Sequence, residues 1–281
     1  MKVLTHPAAM RAWSDGRRQS GRRVVVVPTM GALHQGHRAL IDEARRHGDD
    51  VVVTIFVNPL QFNSSTDFQG YPRPIDDDLS TCAAAGVDAV YAPTAAVMYP
   101  PGFQTHVEPG ALADRLEGEH RPGHFRGVTT VVAKLFAAVR PDVAVFGQKD
   151  AQQLAIVRRM VSDLDVGVDV VSMPTVREPD GLAMSSRNRR LSPAERDAAV
   201  CIWRGLQALG AAVDAGERDP AALTATGVAP ILAEPLARLE YLELVDRDDF
   251  EPVRSVGAGP VLAVTAVWCG EVRLIDNIEL P

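Results

Sequence analysis

The chain has 281 residues, of which 46% are hydrophobic, and a formal net charge of -7 at pH 7. At about 150 residues per domain, this length predicts one large domain or two unequal ones, with a substantial core. The acidic balance gives no electrostatic footprint for nucleic acid or for an anionic membrane, so the expected partner is a small molecule.

Strand-like and helical patterns alternate through the first 175 residues. Apolar, β-branched runs predict strands at residues 24–27, 51–57, 89–92, 143–146 and 166–171. Amphipathic patterns predict helices near residues 37–47, 76–85, 127–139 and 151–163. Such alternation is typical of βαβ units, and it predicts a Rossmann-like parallel sheet with helices on both faces.

The sequence changes character after Pro174. A polar, turn-rich stretch comes first, two Ala/Leu-rich helical stretches follow, and strand-like runs lie at residues 241–245, 261–268 and 272–275. Helices followed by consecutive strands are typical of an α+β unit with an antiparallel sheet. The sequence therefore predicts an α/β protein with a Rossmann-like domain at residues 1–175 and a smaller C-terminal α+β domain at residues 176–281.

A histidine motif follows the first predicted strand. Four valines at 24–27 are followed by the turn residues 28–31 and then by His34-Gln35-Gly36-His37. In open α/β sheets, ligands bind outside the carboxyl ends of the strands, and a helix N-terminus there offers backbone N–H groups to an anion. We expect His34 and His37 near one face of the first helical turn, where imidazoles can donate hydrogen bonds to a phosphate. The alternative is that they are metal ligands or exposed polar residues.

Polar side chains also follow the second predicted strand. Asn58 and Gln61 can bind the hydroxyl and carboxylate groups of a substrate, although Asn-Pro is also a common turn at the end of a strand. Further on, Asp76, Asp77 and Asp78 open a helical pattern. Acidic residues there interact favourably with the helix dipole, and adjacent carboxylates facing a polyphosphate can also hold Mg²⁺, so both roles stay open.

Two later segments carry charges suited to an anion. Arg121 and His124 lie in a Gly/Pro-rich loop before an apolar helix. After the strand at 143–146, Lys149 can reach phosphates and Asp150 can accept hydrogen bonds from ribose hydroxyls. The alternatives are an exposed basic loop and a solvated ion pair.

A serine-containing loop lies at residues 184–187 in the C-terminal part. Its two hydroxyls and its guanidinium group can close over a triphosphate and stabilise the charge of a departing pyrophosphate. In isolation, a solvated turn has the same composition.

The cysteines indicate a reducing compartment. Cys82, Cys201 and Cys269 are far apart, and none forms a CxxC or Cys/His metal spacing, so neither a disulfide framework nor a zinc site is predicted. The N-terminal segment lacks an apolar core of signal-peptide length, and the run at 51–57 is too short to span a bilayer. We therefore expect a cytoplasmic protein without membrane association.

Motifs along nearly the whole chain resemble those of one enzyme family. They are PTMGALHQGH, FVNPLQF, YPRPIDDD, RPGHFRGV, FGQKDAQQL, VREPDGLAMSSRN and RLIDN, in this order. The chain thereby resembles the pantothenate synthetases, which are HxGH nucleotidyltransferases related in fold to class I aminoacyl-tRNA synthetases. The resemblance implies that ATP and (R)-pantoate form pantoyl adenylate, which the amine of β-alanine then attacks to give pantothenate and AMP.

The resemblance also implies roles for individual residues. It assigns ATP to Met30, Gly31, Ala32, Leu33, His34, Gln35, Gly36, His37, Gly147, Gln148, Lys149, Asp150, Val176, Met184, Ser185, Ser186 and Arg187. Within this set the catalytic residues are His34, His37 and Lys149, with His37 as the family's proton donor. It assigns the substrates pantoate and β-alanine to Gln61, Gln153, Asn58, Arg121 and His124. It assigns Mg²⁺ to Asp77 and Asp78, makes residues 176–281 a lid, and implies a homodimer.

Two positions bear on how close the resemblance is. Gln148 stands where the family usually has Glu, which puts any role of that carboxylate in doubt. Arg187 replaces the second lysine of the wider superfamily's KMSKS pattern, as is usual in this family. Two alternatives are a sister enzyme that transfers a nucleotide to a phosphorylated acceptor and an inactive nucleotide-binding protein. Gln61 and Gln153 disfavour the first, and the retained histidines and Lys149 disfavour the second.

Overall fold

Runs of β-branched residues form a six-stranded sheet in the computed structural model, which describes residues 1–281. Its strands are β1 (Lys2–Leu4), β2 (Val24–Thr29), β3 (Asp50–Ile55), β4 (Ala89–Tyr91), β5 (Val143–Gly147) and β6 (Asp169–Met173). They pair in the order β1-β4-β3-β2-β5-β6, and every pair is parallel. The valines of β2 and β3 are fully buried, which is the usual environment of parallel strands with both faces covered.

Helices cover both faces of this sheet. Up to residue 163 they are α1 (Pro7–Gln19), α2 (Gln35–Ala44), α3 (Ser65–Gly70), α4 (Ile75–Ala84), α5 (Ala95–Met98), α6 (Glu117–His120), α7 (His124–Val139) and α8 (Ala151–Asp163). On one face, Val26 shares a core with Val128 of α7 and Val157 of α8. On the other face, Val25 shares a core with Ile41 of α2. The predicted Rossmann-like arrangement is confirmed.

Strand β2 lies at a switch point of the sheet. The chain leaves β2 through α2 and pairs next as β3 on one side, whereas β5 pairs on the other side. In open α/β sheets, the crevice at the carboxyl ends of the strands at such a point is the usual ligand site. The segment 30–37 follows β2 directly and therefore begins at this crevice.

The C-terminal residues form a smaller α+β unit, as predicted. Its helices and strands are α9 (Pro193–Ala198), α10 (Val200–Asp214), α11 (Pro220–Leu232), β7 (Ala237–Asp246), β8 (Val261–Cys269) and β9 (Val272–Leu280). The strands form an antiparallel sheet in the order β7-β8-β9. Its core includes Leu206 and Leu209 of α10, Ile231 of α11 and Val267 of β8. A Cβ atom at Gly205 would overlap the carbonyl oxygen of Gly227, so glycine lets α10 and α11 approach closely.

The chain divides into two compact units. The first comprises Met1–Gln148 and Gln152–Pro174, and the second comprises Lys149–Ala151 and Thr175–Pro281. The segment 149–151 therefore groups with the C-terminal residues, although residues 152–174 separate them in sequence. None of the helices combines the length and the apolar character needed to cross a membrane.

Several elements differ from the sequence prediction for local reasons. Strand β6 begins at Asp169 rather than at residue 166, because Asp165 and Gly167 have φ angles of 48° and 71°, which no strand accommodates. Strand β9 runs on to Leu280 rather than ending at residue 275, because polar residues in its second half hide it from a hydrophobic pattern. Strand β1 and helix α1 were not predicted.

Candidate active site

Two buried threonines fix the carboxyl ends of β2 and β3. The Thr29 hydroxyl donates to the Thr54 carbonyl oxygen at 2.6 Å and accepts from the Gly31 N–H at 3.1 Å. The Thr54 hydroxyl oxygen in turn accepts from the Thr29 N–H at 3.3 Å. The chain therefore leaves β2 in a fixed direction.

The turn after β2 is held by the buried carboxylate of Asp78. Gly31 and Ala32 have φ angles of 81° and 51°, and a left-handed conformation is uncommon for a residue other than glycine. The two carboxylate oxygens accept the N–H of Ala32 at 2.8 Å and the N–H of Leu33 at 2.7 Å. A Cβ atom at residue 31 would lie 2.8 Å from Asp78 Oδ2, so this position requires glycine.

The two histidines of the motif cap the helix that follows. His34 is the N-cap of α2, and its Nδ1 accepts the N–H of Gly36 at 3.1 Å. The Nδ1 of His37 accepts the N–H of His34 at 3.3 Å, which completes a capping box. Helix α2 therefore begins at Gln35, two residues before the predicted start.

This arrangement sets the chemistry of the imidazole pair. The ring centroids of His34 and His37 are 4.1 Å apart, which confirms that the two side chains share one face of the first turn. Since each Nδ1 accepts a backbone N–H, each neutral ring carries its proton on Nε2. The Nε2 atoms are then hydrogen-bond donors at the N-terminus of a helix, where an anion is favoured.

Asn58 is held inside the protein rather than exposed at the strand end. Its side-chain N–H₂ group donates to Gln61 Oε1 and to the Gly127 carbonyl oxygen, both at 3.0 Å. Its Oδ1 accepts from the Tyr99 hydroxyl at 2.7 Å, and burial raises the pKa of this phenol, which therefore stays protonated. Asn58 is 1% exposed, and its hydrogen bond to Gln61 fixes the orientation of the Gln61 side chain.

Arg121 and His124 lie against the same segment. The carbonyl oxygen of Gln61 accepts from His124 Nδ1 at 2.8 Å and from the Arg121 guanidinium at 3.2 Å. The second Arg121 nitrogen contacts His124 Nε2 at 3.1 Å, so the neutral ring carries its proton on Nδ1. The structure thus brings Asn58, Gln61, Arg121 and His124 together in one hydrogen-bonded cluster.

A short 3-10 helix, Gln148–Asp150, follows the end of β5 and leads into α8. The Lys149 ammonium lies 3.6 Å from Asp150 Oδ1, and 19% of the Lys149 side chain is exposed. The next residues have different roles. Gln152 is buried and bonded to three backbone groups before α7, whereas Gln153 is partly exposed. Gln152 and Gln153 are adjacent residues of the same type, so sequence alone could not predict which of them has a structural role.

The loop predicted to contact a triphosphate is ordered by its own side chains. Val176 accepts the N–H of Met184 at 2.9 Å through its carbonyl oxygen, and Arg177 pairs with Ala183 as an antiparallel bridge. Ser185 caps the short helix Ser186–Arg190, accepting the N–H of Arg187 at 3.2 Å. Ser185 therefore has a structural role that the sequence does not reveal.

The two candidate magnesium ligands have different surroundings. Asp78 is 2% exposed and both its oxygens accept backbone N–H groups, whereas Asp77 is exposed. No group of three or more His, Cys, Asp and Glu side chains is arranged to hold a metal ion. Both Asp78 oxygens are therefore engaged by the turn, and Asp77 is the exposed carboxylate of the two.

Comparison with known proteins extends these observations to the whole chain. Residues 2–279 match the family described as pantoate-beta-alanine ligase. The pantothenate synthetase of Heliobacterium modesticaldum is 51% identical over 278 residues, which cover 99% of each chain.

Solved structures agree with this match. The pantothenate synthetase of Thermus thermophilus has a TM-score of 0.94 at 44% identity, with 100% of both chains covered. The pantoate-beta-alanine ligase of Francisella tularensis, complexed with beta-gamma ATP and beta-alanine, has a TM-score of 0.82 at 32% identity, covering 99% of this chain and 97% of that one. The chain therefore belongs to the pantoate-beta-alanine ligase family.

Proposed function

We propose that the protein condenses (R)-pantoate with β-alanine at the expense of ATP, giving (R)-pantothenate, AMP and diphosphate. A carboxylate oxygen of pantoate first attacks the α-phosphorus of ATP, and the bond to diphosphate breaks. The β-alanine amine then attacks the pantoyl carbonyl carbon, the bond to AMP breaks, and the amine loses a proton. A free carboxylate resists attack by an amine, so the first step supplies the leaving group that the second step needs.

The observation that carries this proposal is the histidine pair at the end of β2. His34 and His37 each present an Nε2 donor, because each Nδ1 is engaged by the backbone. Donors fixed in this way fit the phosphate oxygens of ATP and the negative charge that develops on departing diphosphate. We assign His37 as the proton donor and His34 as a phosphate ligand. The rest of segment 30–37 shapes the backbone that ATP approaches.

The amide cluster is suited to pantoate. Because Gln61 Oε1 accepts from Asn58, the Gln61 N–H₂ group is oriented as a donor to an oxygen-rich substrate. We assign Gln61 and Gln153 to pantoate, with Gln61 also near β-alanine. Arg121 and His124 then complete the region for β-alanine and pantoate. Asn58 acts through Gln61.

Residues that follow β5 and residues of the serine-containing loop are assigned to ATP as well. Lys149 supplies a compact cation to the phosphates, and Ser186 and Arg187 stabilise the departing diphosphate. The remaining proposed ATP contacts are Gly147, Gln148, Asp150, Val176, Met184 and Ser185. We propose that residues 176–281 act as the lid, which excludes water from the reactive adenylate.

We propose Mg²⁺ as the metal that accompanies ATP. Mg²⁺ usually keeps several waters and takes one or two carboxylates together with phosphate oxygens. The exposed Asp77 is the residue that would hold Mg²⁺. The bound ion would neutralise negative charge on the phosphates. Asp78 keeps its backbone partners, and its contribution is to the turn.

The assay that tests this function is AMP formation by the purified protein. With ATP and pantoate alone, we expect release of diphosphate limited to about one equivalent per site, because the adenylate stays bound. Sustained AMP formation should require β-alanine. AMP release at equal rates with and without β-alanine would contradict the proposal, and an enzyme that transfers a nucleotide to a phosphorylated acceptor would need no β-alanine.

Assembly and location are further proposals. We propose a homodimer on the basis of the family resemblance, and sedimentation velocity measures it directly. We also propose a cytoplasmic location, which is supported by three cysteines that are free and buried.

A further inference from the structure

Strand β9 carries two consecutive buried polar residues. Asp276 is 3% exposed and Asn277 is 4% exposed. Successive residues of a strand point to opposite faces, so polar groups are enclosed on both sides of β9 at this position. Buried polar groups destabilise a fold unless they are hydrogen-bonded, so the partners of these two side chains indicate what the pair is for.

Asp276 holds an arginine that leads into the serine-containing loop. Arg177 pairs with both carboxylate oxygens of Asp276, at 2.6 Å and 3.0 Å, and lies 3.8 Å above the ring of Trp203. The same guanidinium donates to the carbonyl oxygens of Gly181 and Asn277, at 3.1 Å and 3.2 Å. Arg177 therefore fixes the hairpin that precedes the loop to the edge of β9.

Asn277 holds the other segment assigned to ATP. Its side-chain N–H₂ group donates to the carbonyl oxygen of Lys149 at 2.9 Å, across 128 positions of the chain. Its own backbone N–H donates to Asp276 Oδ1 at 2.8 Å, and its backbone carbonyl accepts from Arg177. One dipeptide thus holds both segments of the second unit that carry candidate phosphate ligands.

We infer that Asn277 is a positioning residue that fixes the main chain of Lys149. The ion pair of Arg177 with Asp276 fixes the serine-containing loop relative to the same strand. This inference rests on the proposed function of Lys149 at the phosphates. A main-chain hydrogen bond fixes where the side chain starts, and small misplacements of a catalytic group carry large kinetic costs. The motif RLIDN thereby acquires a role through buried contacts rather than through contact with a substrate.

The kinetic test uses Asn277→Leu, which removes the donor and keeps the volume. With ATP, pantoate and β-alanine all present, we expect kcat for diphosphate release to fall between about fivefold and a hundredfold while KM for pantoate stays unchanged. The matched control is Glu279→Gln on the same strand. Glu279 makes an exposed ion pair with Arg247 at 2.9 Å, so this variant leaves the buried contacts of the strand intact. Its kcat should equal that of the wild type.

A labelling test separates position from activity. The chain has three lysines, Lys2, Lys134 and Lys149. Trace acetylation followed by mass spectrometry reports the rate of Lys149 relative to Lys2 within one sample. We expect this ratio to rise several-fold in Asn277→Leu and to stay unchanged in Glu279→Gln, because only the first variant releases the Lys149 main chain.

A double variant tests whether Asn277 acts through Lys149. In a Lys149→Ala background, Asn277→Leu should cause no further loss of kcat, because the group that it positions is gone. Should Asn277→Leu fail to fold, Asn277→Asp keeps the shape, places an acceptor against the Lys149 carbonyl, and takes its place in all measurements. An unchanged labelling ratio together with unchanged kcat overturns the inference. An inactive wild type overturns the proposed function alone, and the labelling ratio then decides the inference.

Discussion

Replacing Asp78 by asparagine tests how the turn after β2 is held. The substitution keeps the shape and one acceptor oxygen, but it places an N–H₂ group against a backbone N–H. In the wild type the carboxylate accepts from Ala32 and Leu33 at 2.8 Å and 2.7 Å. Hydrogen bonds to charged groups contribute about 1.5–3 kcal/mol each. Losing one bond and the charge of the other is expected to destabilise the turn by about 2–4 kcal/mol.

Amide hydrogen exchange at Ala32 and Leu33 measures this effect locally. A loss of that size corresponds to exchange about 30-fold to 1,000-fold faster at these two amides, if they exchange by local opening. Asp76→Asn is the matched control, because Asp76 is exposed in the same helical turn, and its effect should stay below about 1 kcal/mol. Equal exchange rates in the two variants would refute the assignment of Asp78 to the turn.

Three further outcomes follow from the same geometry. Gly127→Ala should destabilise the protein by about 1–3 kcal/mol, because the new Cβ atom would overlap the Leu60 carbonyl group. Gly16→Ala in α1 should not destabilise it, because no atom lies within 4 Å of the new Cβ atom. Thermal unfolding compares the two variants. His37→Ala should slow adenylation by about a hundredfold or more, yet lower the free energy of unfolding by only about 1 kcal/mol through the lost cap. Rapid-quench kinetics measure the first effect and circular dichroism measures the second. A large loss of stability with unchanged adenylation would contradict the prediction. Thiol reagents at pH 8 should label the native protein negligibly and the unfolded protein fully, since burial raises the thiol pKa values and keeps the thiolate scarce until the pH approaches them; fast native labelling would contradict this. The thiol pKa values are about 11 for Cys82, about 12 for Cys201 and about 11 for Cys269.

The parallel sheet could be predicted because burial on both faces leaves a direct trace in composition. The runs at 24–27 and 51–57 are almost wholly apolar, and each lies within or over a central strand. The edge strand β1 has only three residues, two of them exposed, so it has no such trace. The second half of β9 was not predicted for the opposite reason, since Asp276 and Asn277 are buried there although they are polar.

The candidate site likewise has features that could be predicted from the sequence and features that could not. A motif locates His34 and His37 and the order of the chain puts them at a strand end, but their Nε2 donors follow from backbone contacts that only coordinates reveal. Asp77 and Asp78 are identical in sequence, yet one is exposed and the other is bound to the turn. Sequence predicts which side chains gather, whereas which of them face a ligand depends on three-dimensional partners.

In the proposed mechanism, pantoate is activated by attack of its carboxylate on the α-phosphorus of ATP. Pantoate labelled with ¹⁸O in the carboxylate tests it, because the oxygen that attacks phosphorus stays on AMP when the amide forms. Mass spectrometry of the products should find one ¹⁸O atom in each AMP and none in diphosphate. Unlabelled AMP, or label in inorganic phosphate with formation of ADP, would exclude this mechanism.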